Sequence, residues 1–582
     1  MKVKLVNENF KKDYLNQLLL SRGVTDLNAF YNPSDDLLQD PIYLDNIDKG
    51  AELYRNVIGD INAHVGIVVD SDVDGYTSAA IMYLYTKELN SQIQIDYFIH
   101  SHKQHGLEDL IDQILNSNIH YDLIICPDSS SNDYEYHEML REVGTPVLVL
   151  DHHEVDNEIS SNAVVINNQM SESYYNKNLS GAGVAWQFCR YIDRLINSSK
   201  ADKYIDLAAL GCISDMMSCL EMENRYLFTE GLRHIHNGFF KALVAKQSFS
   251  IGDELTPIGV AFYITPLINS LIRVGTPEEK ELAFRAFVEP HELIPSQKRG
   301  AKGTLEEISI EVARIATNTR ARQNRILDKA VEELEIKINK FDLLSNQIIF
   351  IELDEEDYPQ ELTGLIAMKI SAKYKHPTMI GRLGDSYGND HVSVPTWKGS
   401  IRGLNESELK DFKGYLTSTG LFDYVQGHAN AAGFGINALS VDNFIKQSNK
   451  DLAQIDFAEN YFEVNFKRIA ADPDLEEMIF DLGGRKDIWG QQNNEPLIYV
   501  QDLNLKRPDI QIMGKNSDTV KINKFGISYI KFHAKDMIEE LARHDEVKME
   551  IVGKPNINEF MGRITPQIFI EDYQIEDGTL GF

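Results

Sequence analysis

The sequence predicts an α/β protein of several domains: a parallel-sheet domain, a long connecting helix, a smaller α/β domain and a C-terminal β-domain shaped as a barrel. Three observations predict it. Short apolar runs alternate with helical patterns from about residue 60 to 220, the alternation of a parallel sheet covered by helices. Residues 304–340 keep helical spacing without a Gly or Pro. From about residue 455 the pattern turns to short strands and turns. A chain of 582 residues also exceeds what one hydrophobic core can serve.

The elements follow in order. Residues 65–69 are a β-branched run ending in acid, and 77–89 (TSAAIMYLYTKEL) read as a helix. Residues 123–126 and 146–150 are two further apolar strands. The 304–340 helix reads as an amphipathic strut between domains. A strand over 346–353 and a helix over 363–374 open a second α/β segment, followed by Gly-rich stretches. Strands over 496–505, 548–553 and 566–575 belong to the β-domain. The expected domains are 1–245 (with an extension over about 1–55), a connecting segment 246–340, then 341–450 and 455–582.

Hydrophobic residues make up 43% of the chain, enough for globular cores. The formal net charge of −32 repels polyanions at long range and argues against a nucleic-acid partner unless charge is locally patterned. Cys126, Cys189, Cys212 and Cys219 form no C-x-x-C pair, which argues against a zinc knuckle and suits a reducing cytoplasm. The N-terminus has no apolar signal core, and no apolar run is expected to span a bilayer, so no membrane partner is expected.

The sharpest chemical signal is D-S-D-V-D-G-Y-T-S, carrying Asp70, Asp72 and Asp74 directly after the first strand. Carboxylates at alternate positions repel one another, and a divalent cation with a taste for oxygen removes the cost. An EF-hand loop is the competing reading, but the Glu it needs at loop position twelve is Ile81 here, and a strand precedes it. Gly75 is expected to let the chain turn tightly into the next helix. Asp128 follows the second strand, Asp151, His152 and His153 follow the third, and Asp215 closes L-A-A-L-G-C-I-S-D. Any one strand-end Asp is commonly a helix cap. Together these side chains supply enough carboxylate and imidazole for two metals sharing a bridging carboxylate, a device suited to phosphoryl transfer.

These residues resemble the DHH superfamily, and within it the RecJ exonucleases. D-x-D-x-D-G-x-T-S resembles its first motif, and D-H-H (151–153) resembles the motif that gives it its name. L-S-G-A-G-V-A (179–185), E-N-R (223–225), G-S-I-R (399–402) and G-H-A-N-A-A-G (427–433) extend the likeness over roughly residues 60–440, and W-G-Q-Q-N-N-E-P (489–496) echoes the start of the OB-fold. The resemblance implies a DHH catalytic domain, a DHH-associated domain and an OB-like barrel. It implies that Asp72, Asp74, Asp128, His152 and Asp215 hold two ions of Mn²⁺ or Mg²⁺, with Asp70, Asp151 and His153 as catalytic residues beside them. Arg273 is implied near the scissile phosphate. Ser400 and Arg402 are implied on a terminal 5′ phosphate, with Gly427, His428 and Asn430 facing substrate. The chain departs from the family at Leu267, which stands for an arginine, at Gln426, which precedes Gly427-His428, and before His105–Leu107, where His102 and Lys103 stand near an expected arginine.

The implied activity is hydrolysis of single-stranded DNA from the 5′ end in repair, recombination or replication, in the cytoplasm of a bacterial or phage-infected cell. A single-strand-binding protein or helicase is the implied protein partner. Between residues 503 and 535, Lys506, Arg507, Lys515, Lys521, Lys524, Lys531 and Lys535 interleave with Phe525, Tyr529 and Phe532 and face only Asp509 and Asp518 within the stretch. That composition suits a single-strand platform. A groove between the two α/β domains, lined by Arg273, Arg402 and His428, is expected to admit one strand. The rival readings are a DHH phosphodiesterase for short oligonucleotides or cyclic dinucleotides, and a replication or repair scaffold without catalysis.

Overall fold

In the computed structural model every residue is described except 7–11, 156–159, 355–357, 388–392, 561 and 577–582. The last of these form the end of the expected β-domain and lie outside the described residues. The chain forms two compact units. One comprises Arg22–Gln323 and Lys486–Asn494; the other comprises Met1–Ser21, Asn324–Arg485 and Glu495–Phe582.

The first unit is built on a parallel sheet of β1 (His64–Val69), β2 (Gln94–Ile99), β3 (Leu123–Pro127), β4 (Val147–Asp151) and β5 (Val164–Asn167), in the order β2-β1-β3-β4-β5. The inner strands β1, β3 and β4 are apolar at nearly every position because both faces are covered, whereas the edge strand β2 carries Gln94 and Asp96 and is half-buried. Val65, Ile67, Val69, Ile125, Leu148 and Leu150 enter the larger core. Val68, Ile124, Cys126, Val147 and Val149 point to the opposite face. Burying each such side chain contributes about 1.5–3 kcal/mol. Helices α1 (Val73–Leu89), α2 (Gly181–Ile196) and α3 (Ile205–Ser214) pack together in the larger core. The strand order reverses between β1 and β3, so the loops leaving these two strands open at a topological switch point, where open α/β sheets hold ligands.

Further along come α4 (Thr265–Val274), α5 (Pro277–Val288) and α6 (Ile308–Lys340). The long helix was expected from 304, but residues Leu305–Glu307 pair as a short strand with Leu293–Pro295 and the helix begins after them. As far as Gln323 it belongs to the first unit, so the segment expected to be purely connecting supplies core to that unit: Ile308, Val312 and Ala316 are fully buried. One stretch, Pro257–Val274, has the length and composition of a short membrane span, contrary to expectation; 56% of it is buried, as in a core helix.

The second unit holds two sheets. Strands β6 (Ile349–Leu353), β7 (Thr378–Tyr387), β8 (Ser393–Arg402), β9 (Phe422–His428) and β10 (Ala431–Asn437) form the order β9-β10-β8-β7-β6, with α7 (Thr363–Tyr374) against β7 and β8. The C-terminal sheet contains β11 (Phe466–Ile469), β12 (Ile498–Lys506), β13 (Ile510–Met513), β14 (Thr519–Lys524), β15 (Ile527–Lys531), β16 (Glu546–Phe560) and β17 (Arg563–Glu576), in the order β11-β12-β16-β17-β15-β14-β13. Residues 1–21, expected as part of an extension of the catalytic domain, belong here instead, because Lys2–Leu5 pairs in parallel with Tyr461–Val464.

Candidate metal centre

The acids gather at the switch point. Asp70 follows β1, Asp72 is the N-cap of α1, Asp74 lies in its first turn, Asp128 follows β3, and Asp215 follows α3. His152 Nε2 lies 3.2 Å from Asp128 Oδ1, 3.4 Å from Asp215 Oδ2 and 3.9 Å from Asp74 Oδ2. Three ligand groups, each with atoms within 4.8 Å of one another, are Asp70–Asp72–Asp128, Asp74–His152–Asp215 and Asp128–His152–His153. Asp128 and His152 are each shared by two groups, the arrangement that two neighbouring cations require.

Each acid is held by its own local device. Asp74 accepts hydrogen bonds from Ser180 Oγ (2.7 Å), Gly181 N (2.7 Å) and Ala182 N (3.1 Å), so it caps α2 from another element. Asp72 accepts from Gly75 N at 3.0 Å. Asp128 adopts left-handed backbone (φ 63°), and its Oδ1 is buried without a hydrogen-bond partner. Asp151 stands outside the three groups: it accepts from Ser131 N, His152 N and His153 N, and its Oδ1 meets His153 Nδ1 at 2.8 Å. It therefore orients the histidine pair.

Gly75 is not in left-handed backbone, contrary to the turn expected of it. A Cβ there would sit 2.6 Å from Asp70 O, so the residue permits α1 to approach the end of β1. Gly181 and Gly211 serve the same purpose for the other acids, since Cβ atoms there would lie 2.4 Å from Asp128 Oδ1 and 2.3 Å from Asp74 Oδ1. The sequence reading also passed over His105 and His100. His105 Nδ1 lies 2.6 Å from Asp70 Oδ2, and Gly106 N donates to Asp70 Oδ1 at 3.2 Å. His100 lies between Asp70 (3.8 Å) and Asp109 (2.6 Å). The H-G-L string was the available signal for His105.

The charges do not settle comfortably. Burial, then Asp74, Asp72 and Asp70, push the Asp128 carboxyl well above the usual range. Burial and the neighbouring Asp74 and Asp72 push Asp215 up to about 8. Burial would lower His153, but its hydrogen bond to Asp151 and the surrounding acids raise it to about 10. An orphaned buried carboxylate oxygen, crowded acids and an imidazole fit one or two divalent cations of oxygen and nitrogen preference.

The remaining sequence candidates lie elsewhere. Arg273 closes α4 in the first unit, and Leu267 on the same helix is core. Ser400, Arg402, His428, Gly427 and Asn430 lie in the second unit. Arg402 and His428 both register with Ala431, and Ser400 registers with Gly433 two residues along, so Ser400, Arg402 and His428 share one sheet face. Gly427 has φ 129°. Asn430 Nδ2 donates to Asn405 Oδ1 (3.0 Å) and Lys410 O (3.2 Å), which gives it a structural tie within its loop.

The basic stretch is less free than its local composition predicts. Lys506 pairs with Glu546 (2.8 Å), Arg507 with Asp545 (3.0 Å) and Lys524 with Asp509 (2.8 Å). Lys531 Nζ donates to Glu571 O, and Tyr529 is fully buried, whereas Phe525 and Phe532 are each 53% exposed.

Comparison with known proteins agrees with this architecture. Residues 64–212 match the family model "DHH family, N-terminal domain", and residues 474–572 match "RecJ OB domain". A relative named as the SPbeta prophage-derived single-strand DNA-specific exonuclease YorK, of Bacillus subtilis (strain 168), is 37% identical, over 99% of this chain and 98% of its own. The chain belongs to the RecJ-type DHH family. Two crystal structures of RecJ from Thermus thermophilus share the fold of this DHH protein at 19% identity. The one in complex with Mn²⁺ has a TM-score of 0.71, covering 99% of this chain and 80% of that one; the one with Mg²⁺ has 0.66, covering 99% and 78%.

Proposed function

We propose that the protein is a metal-dependent exonuclease that hydrolyses phosphodiester bonds of single-stranded DNA from the 5′ end, releasing mononucleotides. The observation that carries this reading is the convergence of Asp74, Asp128 and Asp215 on His152 Nε2, with Asp70 and Asp72 grouped on Asp128. Substrate class follows the name of the YorK relative. Asp70, Asp72, Asp74, Asp128, His152 and Asp215 would hold Mn²⁺ or Mg²⁺, which when bound lower the pKa of water and offset charge on the phosphoryl oxygens. Asp151 fixes the His153 ring by Nδ1, and the imidazole is 51% exposed, so its Nε2 can donate to a phosphate oxygen or the leaving oxygen. Ser400, Arg402 and His428 offer hydroxyl, guanidinium and imidazole from one sheet face to the terminal 5′ phosphate. The four free cysteines are all buried, in keeping with work in the cytoplasm, where single-strand-binding protein or a helicase would present the strand for repair, recombination or replication.

The test is a time course on 5′-labelled and 3′-labelled single strands in Mn²⁺, with duplex, RNA and a dinucleotide as controls. Early mononucleotide release from the 5′ label, abolished in Asp72→Ala and Asp128→Ala, is expected. Preference for the dinucleotide favours the oligonucleotide phosphodiesterase reading, and wild-type rates in both variants remove the site assignment.

A further inference from the structure

Two arginines of the first unit lie on helices that pack against each other. Arg273 closes α4, and Arg320 lies on α6. Hydrogen bonds on either side fix the two helices here: Ser270 Oγ donates to Ala316 O at 3.4 Å, and Arg322 Nη2 to Val274 O at 2.8 Å. Arg320 Nη1 donates to Gln323 Oε1 at 2.7 Å, and the Gln323 side chain is fully buried, so packing sets where the guanidinium points. Arg322 is paired with Glu279 at 2.6 Å, but among the described residues neither Arg273 nor Arg320 has a carboxylate at ion-pair distance. Both are half-buried. The Arg273 guanidinium is held below its ordinary value by burial first and by Arg320; only Asp72, in the acid cluster, works the other way.

Two half-buried guanidinium groups on packed helices, with no carboxylate at ion-pair distance among the described residues, are the mirror image of the crowded acids, and a bound anion offsets their charge. The planar guanidinium fork matches phosphate oxygens in pairs, and a locked neighbour reduces the entropy lost on binding. We propose that Arg320, oriented by Gln323, forms with Arg273 a phosphate subsite in which Arg320 grips the backbone phosphate adjoining the one attacked. This subsite rests on the nuclease reading, because it presumes a polynucleotide.

The test is binding of fluorescent oligothymidine to the full chain across a salt series, in Ca²⁺, with steady-state kinetics in Mn²⁺. Losing one phosphate contact on a single strand should lower the slope of log Kd against log salt by about 0.7. Arg320→Gln should show that loss and raise KM several-fold more than it lowers kcat, whereas Arg320→Lys should keep the slope. Gln323→Glu gives Arg320 an internal carboxylate and should lose the same slope with a urea midpoint near that of wild type; it carries the test if Arg320→Gln does not fold. A wild-type slope in Arg320→Gln or Gln323→Glu overturns the subsite. If wild type shortens strands while those slopes are unchanged, the subsite alone falls. If wild type binds steeply with salt, with the variants shallower, but never shortens a strand, the nuclease reading falls, and with it the place of the subsite beside an attacked phosphate, leaving only a phosphate contact at Arg320.

Discussion

Added methyl groups at Gly181 or Gly211 would each overlap a different carboxylate, at 2.4 Å from Asp128 and 2.3 Å from Asp74. Gly181→Ala is expected to displace Asp128 and lower the nuclease rate by about 100-fold, the usual cost of an ångström-scale error in a reacting group; initial rates beside a melting curve will tell this from global unfolding. Asp128→Asn should act in opposite directions on activity and stability. The native state holds this carboxyl up, so its charge costs stability at neutral pH; in EDTA the variant should melt about 2–4 °C higher while its activity is lost. His137 makes a cleaner pH sensor because it stands outside the metal-site acids, with burial and, opposing it, Asp133 acting on the ring. It is fully buried with both ring nitrogens unpartnered, and burial lowers it to about 4. The unfolded chain takes up a proton below about 6.5, while the native ring resists until about 4. Stability should therefore fall as pH drops through that window, by about 3 kcal/mol in all, and His137→Leu should flatten the loss in urea titrations at stepped pH.

Elements show where the sequence was legible. The strand-end acids stood out because carboxylates after β-branched runs are costly, and the sheet brings Asp70, Asp128 and His152 to one rim as parallel order requires. The role of the glycines was not legible, since it depends on which elements approach closely in space. The basic stretch misled for the same reason: Glu546 and Asp545 stand at the start of β16, which pairs antiparallel with β12 from a distant stretch of sequence, invisible to local counting. Glu223-Asn224-Arg225, read as a family string, proves to be a structural tie. Glu223 accepts from Tyr174, Asn176 and Gln187, while the buried Arg225 donates to Phe30 O, Asp487 O and Asp487 Oδ2. Asp487→Ala should cost about 2 kcal/mol by weakening a charged hydrogen bond to a buried guanidinium, measurable as a lower urea midpoint with unchanged Mn²⁺ affinity.

At the scale of the molecule, metal and fold are linked. Cations that bind only the folded acid cluster should stabilise the first unit by about 2.7 kcal/mol at a hundredfold excess over Kd. In a two-unit chain that gain should move one calorimetric transition and leave the other in place; a rise of both together would contradict independent units. The chain's path matters as much as its charge. Trp489 and Asn493 are buried in the first unit, Arg22 donates to Asn493 Oδ1 at 2.6 Å, and Cys219 N donates to Gln491 O at 2.9 Å, although these partners lie far apart in sequence. A gene fragment ending at codon 323 would thus encode an enzyme with a brick missing from its wall, and only co-supply of the short peptide 486–494, or its grafting onto the new terminus, should restore a stable catalytic half.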